Sequence, residues 1–248
     1  MGISRGASKL IASALGGSGP RRRAITFGVQ RVETDDGGHI HQDELFGRLG
    51  FGRVESIDYY PDEKPTHVLD LNLPVPAELR GQFDLVYDGG TMEHCFNAPQ
   101  VILNAASLAA AGGLVIHHVP MNNWVDHGFY QFSPTLFFDF YGAAGFEELR
   151  MKIHFIARCR ESYLSYDPRT DLPVPYVAGG GKKLLIFFSA RKTAAAQPGG
   201  PGFPIQGRYR AAFGGERVVS AAAGRKTFSG RMRASLRKRF FGWGARAL

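Results

Sequence analysis

Asp58 and Asp70 each end a short apolar run, and Asp88 begins the stretch Asp88-Gly89-Gly90-Thr91-Met92-Glu93-His94. A carboxylate offers two acceptor oxygens, enough for both hydroxyls of a ribose. If the run before Asp58 is a strand, Asp58 and the neighbouring Tyr59 stand where a ribose can be held. Asp70 can then accept from an adenine amino group while Leu71 donates its backbone N–H. Gly28, near the end of an earlier apolar run, and Gly89-Gly90 leave backbone open to a ligand, because no Cβ stands in the way. Each feature also has an ordinary reading as a turn or capping aspartate, or as a tight glycine turn. Taken together and in chain order, they favour binding of a nucleoside.

Histidine carries a second chemistry. Its unperturbed pKa lies near neutrality, which suits a side chain that must take a proton from a hydroxyl. His127, next to Asp126, follows the run that ends at His117-His118-Val119-Pro120 and is the first candidate for such a base; His94 and His118 come after it. Their structural alternatives are a loop anchor for His127, a helix-start residue for His94 and a packed strand residue for His118. Glu93 and His94 could belong to a metal site, but two adjacent ligands without a third do not make one, and no metal is assigned. Asn122, Asn123, Trp124, Tyr130 and Gln131 mix amides with aromatic faces on one segment. That surface suits a sugar or another polyhydroxylated acceptor, and equally a well-packed loop.

The elements that must position these residues alternate. Apolar runs at 24–29, 54–58, 67–71, 83–87 and 114–118 predict five strands. Helical spacing at 42–49 stops at Gly50, in the place of a C-cap glycine. Asn97, with Pro99 and Gln100 behind it, has the spacing of a capping box for a helix that runs on to Gly112-Gly113. Ser133-Pro134 opens another helix that stops near 142–145. Runs at 147–156 and 183–189 predict two final strands. The segment between them is polar and ends in Gly179-Gly180-Gly181, so an antiparallel hairpin with a long loop is expected at the sheet edge. Alternating strands and helices mean a mostly parallel sheet covered on both faces, with ligands beyond the carboxyl ends of the strands at the topological switch point.

On these residues the chain resembles class I S-adenosylmethionine-dependent methyltransferases. More narrowly, it is similar to bacterial methyltransferase-like proteins that share a DGGTxEH segment, here Asp88 to His94, and an HGFYQFSP segment, here His127 to Pro134. The resemblance covers about residues 24–190 and extends to the stretch from Gly112 to Pro120 and to Gly145-Phe146. It implies an α/β, Rossmann-like seven-stranded sheet, mostly parallel with an antiparallel terminal hairpin and helices on both faces. It also implies S-adenosylmethionine as cofactor and in-line methyl transfer; the chemistry of the candidate residues, taken separately, points to an oxygen of a small-molecule or glycan-like acceptor. By position, Gly28 falls in the loop around the methionine end, Asp58 on the ribose, Asp70 and Leu71 at the adenine, and Asp88 and Gly89 along the transfer site. The family's first loop is usually glycine-rich. Here only Gly28 stands, followed by Val29-Gln30-Arg31, and Gln30 is expected to replace backbone contacts with side-chain hydrogen bonds. A non-catalytic binding protein is the alternative that such a loop allows. No GxGxxG follows the first strand, which sets a nicotinamide-dinucleotide fold aside.

Composition bounds the rest. An apolar fraction of 44% and an aromatic fraction of 12% in 248 residues exclude wholesale disorder. The net charge of +8 is uneven: residues 1–23 hold five Lys/Arg and no acid, and residues 193–248 hold eleven Lys/Arg against Glu216, leaving an acidic body between them. The organisation expected is a basic N-terminal arm at 1–23, a methyltransferase domain at 24–192 and a basic, Gly/Ala/Arg-rich tail at 193–248. In the tail, 231–243 interleaves bases with Phe240, Phe241 and Trp243. It fits a helix on an anionic membrane, a nucleic-acid contact that would make RNA the methylated substrate, or a solvated tail. Cys95 and Cys159 form no CxxC pair, and no run nears the roughly 18 apolar residues of a membrane span. A cytoplasmic protein is expected, membrane-peripheral at most through its tail.

Overall fold

The computed structural model describes residues 2–16, 21–157, 160–169, 182–197 and 204–207, which belong to the unit Met1–Tyr209. In chain order the elements are α1 (Arg5–Leu15), β1 (Arg21–Phe27), β2 (Arg31–Glu33), β3 (His39–His41), α2 (Gln42–Arg48), β4 (Phe51–Asp58), β5 (His67–Val68), β6 (Phe83–Asp88), α3 (Ala98–Leu108), β7 (Ala109–Asn122), α4 (Pro134–Ala143), β8 (Phe146–Ala157), β9 (Arg160–Ser165) and β10 (Lys183–Lys192). Short 3-10 turns lie at Ala77–Leu79 and Met92–His94. Eight strands make one sheet in the order β5-β4-β1-β6-β7-β10-β8-β9. The first five pair in parallel, as the alternation of strands and helices predicts. The chain runs from β1 outward to β4 and β5, then crosses to β6 on the other side of β1. The switch point therefore lies between β1 and β6.

The last strands differ from the expectation in two ways. β10 is antiparallel to both β7 and β8, so the final strand is inserted inside the sheet and does not sit at its edge. Residues 184–190 are buried accordingly, and an unbroken apolar run suits a strand covered on both faces. The edge is formed by β9, an eighth strand paired antiparallel with β8. Cys159 and the loop glycines Gly179-Gly180-Gly181 lie outside the described residues, as does 208–248 with its aromatic basic segment.

The described N-terminal residues pack on the sheet. Ser4 caps α1 by accepting from the Ala7 N–H at 3.2 Å, and Ala7, Leu10 and Ile11 bury one helical face. They pack with Ile3, Val32, Phe46, Phe51, Leu85, Tyr87 and Ile116 on one side of the sheet. Ile3 also pairs with the β2 hairpin through 2.8 and 2.9 Å backbone bonds to Arg31 and Glu33. The basic residues that dominate the charge count are on the outer face, with Arg5 and Lys9 exposed. The opposite side of the sheet is covered by α3 and α4 over Ile25, Phe27, Val86, Val115, Ile186 and Phe188. α3 ends at Leu108, before the glycines thought to stop it; Gly112 and Gly113 lie inside β7, where a Cβ on Gly113 would stand 2.7 Å from the Phe83 carbonyl. Nor does a capping box form: Asn97 donates instead to the Asn72 carbonyl at 3.1 Å, and Gln100 to Asn104 at 2.9 Å. Among the described residues, no helix is long and apolar enough to cross a membrane.

Candidate functional site

The crevice between β1 and β6 gathers the residues singled out in the sequence. Gly28 follows β1 with φ 72°, a conformation that L side chains avoid. A Cβ there would stand 3.3 Å from Gln30 Nε2, 3.3 Å from Thr91 Oγ1 and 3.8 Å from Asp58 Oδ2. Thr91 spans the crevice, its hydroxyl donating to the Phe27 carbonyl at 2.9 Å. Gln30 is buried; its amide donates to the Phe27 carbonyl at 2.9 Å, while Oε1 is buried with no partner among the described residues. That oxygen lies 2.7 Å from where a Cβ of Gly89 would be, so only a glycine here lets Gln30 pack this close. Gln42 from α2 fixes the loop from below, accepting from the Gln30 N–H at 2.7 Å.

Asp58 and Asp70 lie at the ends of adjacent parallel strands, Asp58 in register with Val68. Each uses one oxygen in a local turn: Asp58 Oδ1 accepts from the Tyr60 N–H at 3.1 Å, and Asp70 Oδ1 from the Asn72 N–H at 2.8 Å. The second oxygen of each takes part in no hydrogen bond among the described residues. The turn reading and the ligand reading are thus compatible. Tyr59 is exposed and packs edge-on against Tyr60. Leu71 buries its side chain in the core. Asn104 of α3 fastens this loop, donating to the Leu71 and Leu73 carbonyls at 3.0 and 2.8 Å and accepting from the Val75 N–H at 3.1 Å. A buried asparagine on an apolar helix was the available signal for it.

Asp88, expected along the transfer site, ends β6. Its carboxyl is wholly buried and turned into the sheet: Oδ1 accepts from the Thr91 and Met92 N–H groups at 3.0 and 3.3 Å, and Oδ2 is 2.9 Å from His117 Nδ1. His117 Nε2 is 2.7 Å from the Tyr141 hydroxyl on α4. Both His117 and Tyr141 are also buried. With the carboxyl accepting at Nδ1, Nε2 is free to accept from the tyrosine. Burial, and then the charge of Asp88, hold the Tyr141 hydroxyl well above its ordinary pKa. Asp88 therefore shapes the Gly89-Gly90 loop through backbone bonds and leaves only its own backbone for a ligand. His117 and Tyr141 were missed by sequence reasoning.

A second corner forms where the Met92–His94 turn meets the loop after β7. Glu93 Oε1 lies 3.6 Å from His127 Nε2 and 3.9 Å from His94 Nε2, and the two rings meet edge-on at 5.0 Å. Glu93 is fully buried, and neither of its oxygens has a hydrogen-bond partner. Burial, reinforced by the charge of Asp88, pushes its carboxyl up to about 8. Burial also lowers both imidazoles, that of His127 further because of its neighbour His94. The loops are locked together: the Phe129 N–H donates to the Glu93 carbonyl at 2.8 Å, and a Cβ on Gly128 would meet that oxygen at 2.8 Å. His94 and His127 thus sit side by side at the carboxyl edge of the sheet.

His118 does not join them. Adjacent strand residues face opposite sides of a sheet, so while His117 points towards α4, His118 packs beside Phe187 under α1. It is buried, with Nε2 3.0 Å from Nδ1 of His154. His154 is in turn 3.3 Å from Glu161, which accepts from the Tyr163 hydroxyl at 2.6 Å. Burial and the neighbouring His154 lower His118 to about 3. An unfolded histidine titrates near 6.5, so the unfolded chain takes up a proton between about 6.5 and 3 that the folded chain refuses. Stability is complete above 6.5 and falls with acidification, by about 3 kcal/mol at pH 4 from this group. His118→Phe should flatten that slope in urea midpoints measured from pH 7 to 4, and an unchanged slope would remove His118 as its origin.

The segment expected to face a polyhydroxylated acceptor spends its polar groups on itself. Gln131 accepts from the Trp124 N–H at 3.1 Å, Trp124 Nε1 donates to the Leu184 carbonyl at 2.9 Å, Asn123 to Lys182 at 2.7 Å, and Tyr130 to Phe96 at 2.8 Å. Asn122 accepts from the Asn123 N–H. This corner also exposes two apolar rings, Phe96 at 74% and Phe129 at 67% exposure, packed edge-on to each other.

No family model and no curated protein matches the chain. Solved structures do. Phosphoethanolamine N-methyltransferase 2 of Haemonchus contortus, in complex with phosphomonomethylethanolamine and S-adenosylhomocysteine, is 11% identical over 76% of this chain and 53% of that one, with a TM-score of 0.50. The YcgJ protein of Bacillus subtilis is 10% identical over 75% and 97% of the two chains, at a TM-score of 0.49. The 1,6-didemethyltoxoflavin-N1-methyltransferase of Burkholderia thailandensis is 16% identical over 76% and 77%, at 0.46. The likeness to the Haemonchus enzyme shows a shared fold, the Rossmann-like methyltransferase sheet, which this chain extends by β9.

Proposed function

We propose that the chain binds S-adenosylmethionine in the β1/β6 crevice and methylates a hydroxyl of a small molecule. The observation that carries this reading is the crevice itself: Gly28 and Gly89 let its loops approach closely, Asp58 and Asp70 each keep an oxygen for a nucleoside, and Gln30 Oε1 is buried without a partner among the described residues. A buried acceptor without a partner costs about 1–3 kcal/mol, and the ammonium of the cofactor's amino-acid end is the kind of donor that relieves it. In this assignment Asp58 holds the ribose hydroxyls, with Tyr59 along the rim. Asp70 and the Leu71 backbone hold the adenine, and Gln30 the amino-acid end. Gly89 and Gly90 let the chain approach the reacting centre, and Asp88 supports them from behind.

Bound S-adenosylmethionine supplies a methyl group on a positively charged sulfonium, a leaving group that needs no acid. What the chain must add is alignment and a place for the hydroxyl's proton. His127 is given that proton, on its position at the carboxyl edge and its Nε2, which is buried and has no hydrogen-bond partner. His94 stands beside it. Of the acceptors expected, a flat apolar molecule carrying a hydroxyl suits the exposed Phe96 and Phe129 better than a glycan does, because one polar atom of each group meant for sugar hydroxyls is already used in a bond to the protein. Contact of the basic tail with anionic lipid or RNA concerns residues outside those described.

The test is calorimetry with S-adenosylhomocysteine on the full chain. Saturable binding is expected, weakened at least tenfold, or about 1.4 kcal/mol, by Asp58→Ala. Absence of heat and of any thermal shift at millimolar ligand would favour the non-catalytic reading.

A further inference from the structure

We infer that Glu93, His94 and His127 form a binding site for one divalent transition-metal cation. Sequence offered only the adjacent pair Glu93 and His94; folding brings His127 in as the third donor. One carboxylate oxygen and two imidazole nitrogens, one from each residue, all lie within 4.8 Å of one another. Metal–ligand bonds of about 2.0–2.2 Å place neighbouring donors roughly 3–3.5 Å apart. The 3.6 and 3.9 Å separations from Glu93 Oε1 need only small side-chain rotations to reach that spacing.

An independent observation points to a ligand. Glu93 is fully buried, and neither carboxyl oxygen has a hydrogen-bond partner among the described residues; His127 Nε2 is buried and unpartnered as well. A buried polar group is ordinarily paired. Here the groups without partners face one another at distances too long for hydrogen bonds and suitable for a shared cation. Glu93 is also held in place, since its carbonyl accepts from Phe129 and Gly128 packs against its Cγ. This fixes one ligand before any cation arrives, as preorganised sites require. His94 is half exposed, so the corner can be reached from solvent. Two imidazoles with one carboxylate favour zinc, manganese, iron, cobalt or nickel; calcium and magnesium prefer oxygen ligands throughout. Three protein donors leave coordination positions for water or for an oxygen of a bound molecule.

The site goes beyond methyl transfer and does not depend on it, because none of its ligands lies in the donor crevice. A cation seated there uses the His127 lone pair that the methyl-transfer reading offers to a proton, so the two occupants exclude each other. The full chain, treated with chelator and returned to metal-free buffer, is titrated with Co2+ while visible absorption and bound metal are measured. One Co2+ per chain with ligand-field bands is expected, displaced by Zn2+. His94→Ala, which alters a half-exposed side chain, and Glu93→Gln should each weaken binding at least tenfold and change the bands. A variant lacking His39 and His41, both on β3, should bind as the wild type does. Featureless Co2+ spectra, equal binding by His94→Ala and Glu93→Gln, or loss of the bands with the β3 variant would each overturn the inference. Calorimetry with S-adenosylhomocysteine on the same chelated protein reports separately on the donor crevice, so the two readings can fail independently.

Discussion

Asp88→Ala should destabilise the chain by about 3–5 kcal/mol, because one buried carboxyl is the shared acceptor of several buried donors. The carboxyl is fully buried and serves three donors: the N–H groups of Thr91 and Met92, and His117. Alanine leaves all three without an acceptor, at about 1–3 kcal/mol for each group that water cannot reach. Further along the chain of bonds the cost should fall. Tyr141→Phe removes only the terminal hydroxyl, keeps the ring stacked on Phe188 at 5.3 Å, and should cost about 1 kcal/mol. Urea unfolding of both variants checks the order. Equal costs would mean that the terminal hydroxyl matters as much as the buried carboxyl at the other end of the route. Asp88→Ala should also weaken S-adenosylhomocysteine at temperatures where the variant remains folded, because the Thr91 and Met92 N–H groups then lose the acceptor that shapes the Gly89-Gly90 loop.

How much of this was legible beforehand depends on what kind of information each feature needs. The five parallel strands were readable because each buried strand is a short apolar run with a breaker after it, and the acids at their ends could be placed in order. The position of β10 was not, since an apolar run says that a strand is covered on both faces but not which neighbours cover it. α1 was hidden behind its own charges: Arg5 and Lys9 set the composition, whereas Ala7, Leu10 and Ile11 set the packing. His117 and His118 show the limit most directly. Alternation requires that they face opposite sides, but only the pairing of β7 with its neighbours decides that His117 meets Asp88 and His118 meets His154. The approach of His127 to Glu93 is of the same kind, a contact between two loops whose sequences carry no trace of each other.

Gly89→Val should abolish donor binding while leaving a folded protein. A Cβ at this position would stand 2.6 Å from Tyr87 Cε1 and 2.7 Å from Gln30 Oε1, closer than atoms of these types can approach. Tyr87 cannot yield, because its ring is fully buried against Phe46. Gln30 must therefore swing away, and the branched side chain takes the place of the oxygen assigned to the amino-acid end of the cofactor. Overpacking of this kind costs about 1–3 kcal/mol of stability, against an expected loss of affinity for S-adenosylhomocysteine of more than about 100-fold, or roughly 2.7 kcal/mol. A second substitution separates crowding from lost recognition. Gln30→Ala in the Gly89→Val background removes one of the two clashes and should recover part of the stability, but not the binding, because the oxygen assigned to the cofactor's ammonium is gone as well. Gln30→Ala alone should weaken binding about tenfold. If Gly89→Val bound S-adenosylhomocysteine as tightly as the wild type, the β1/β6 crevice would not be where the cofactor's amino-acid end lies.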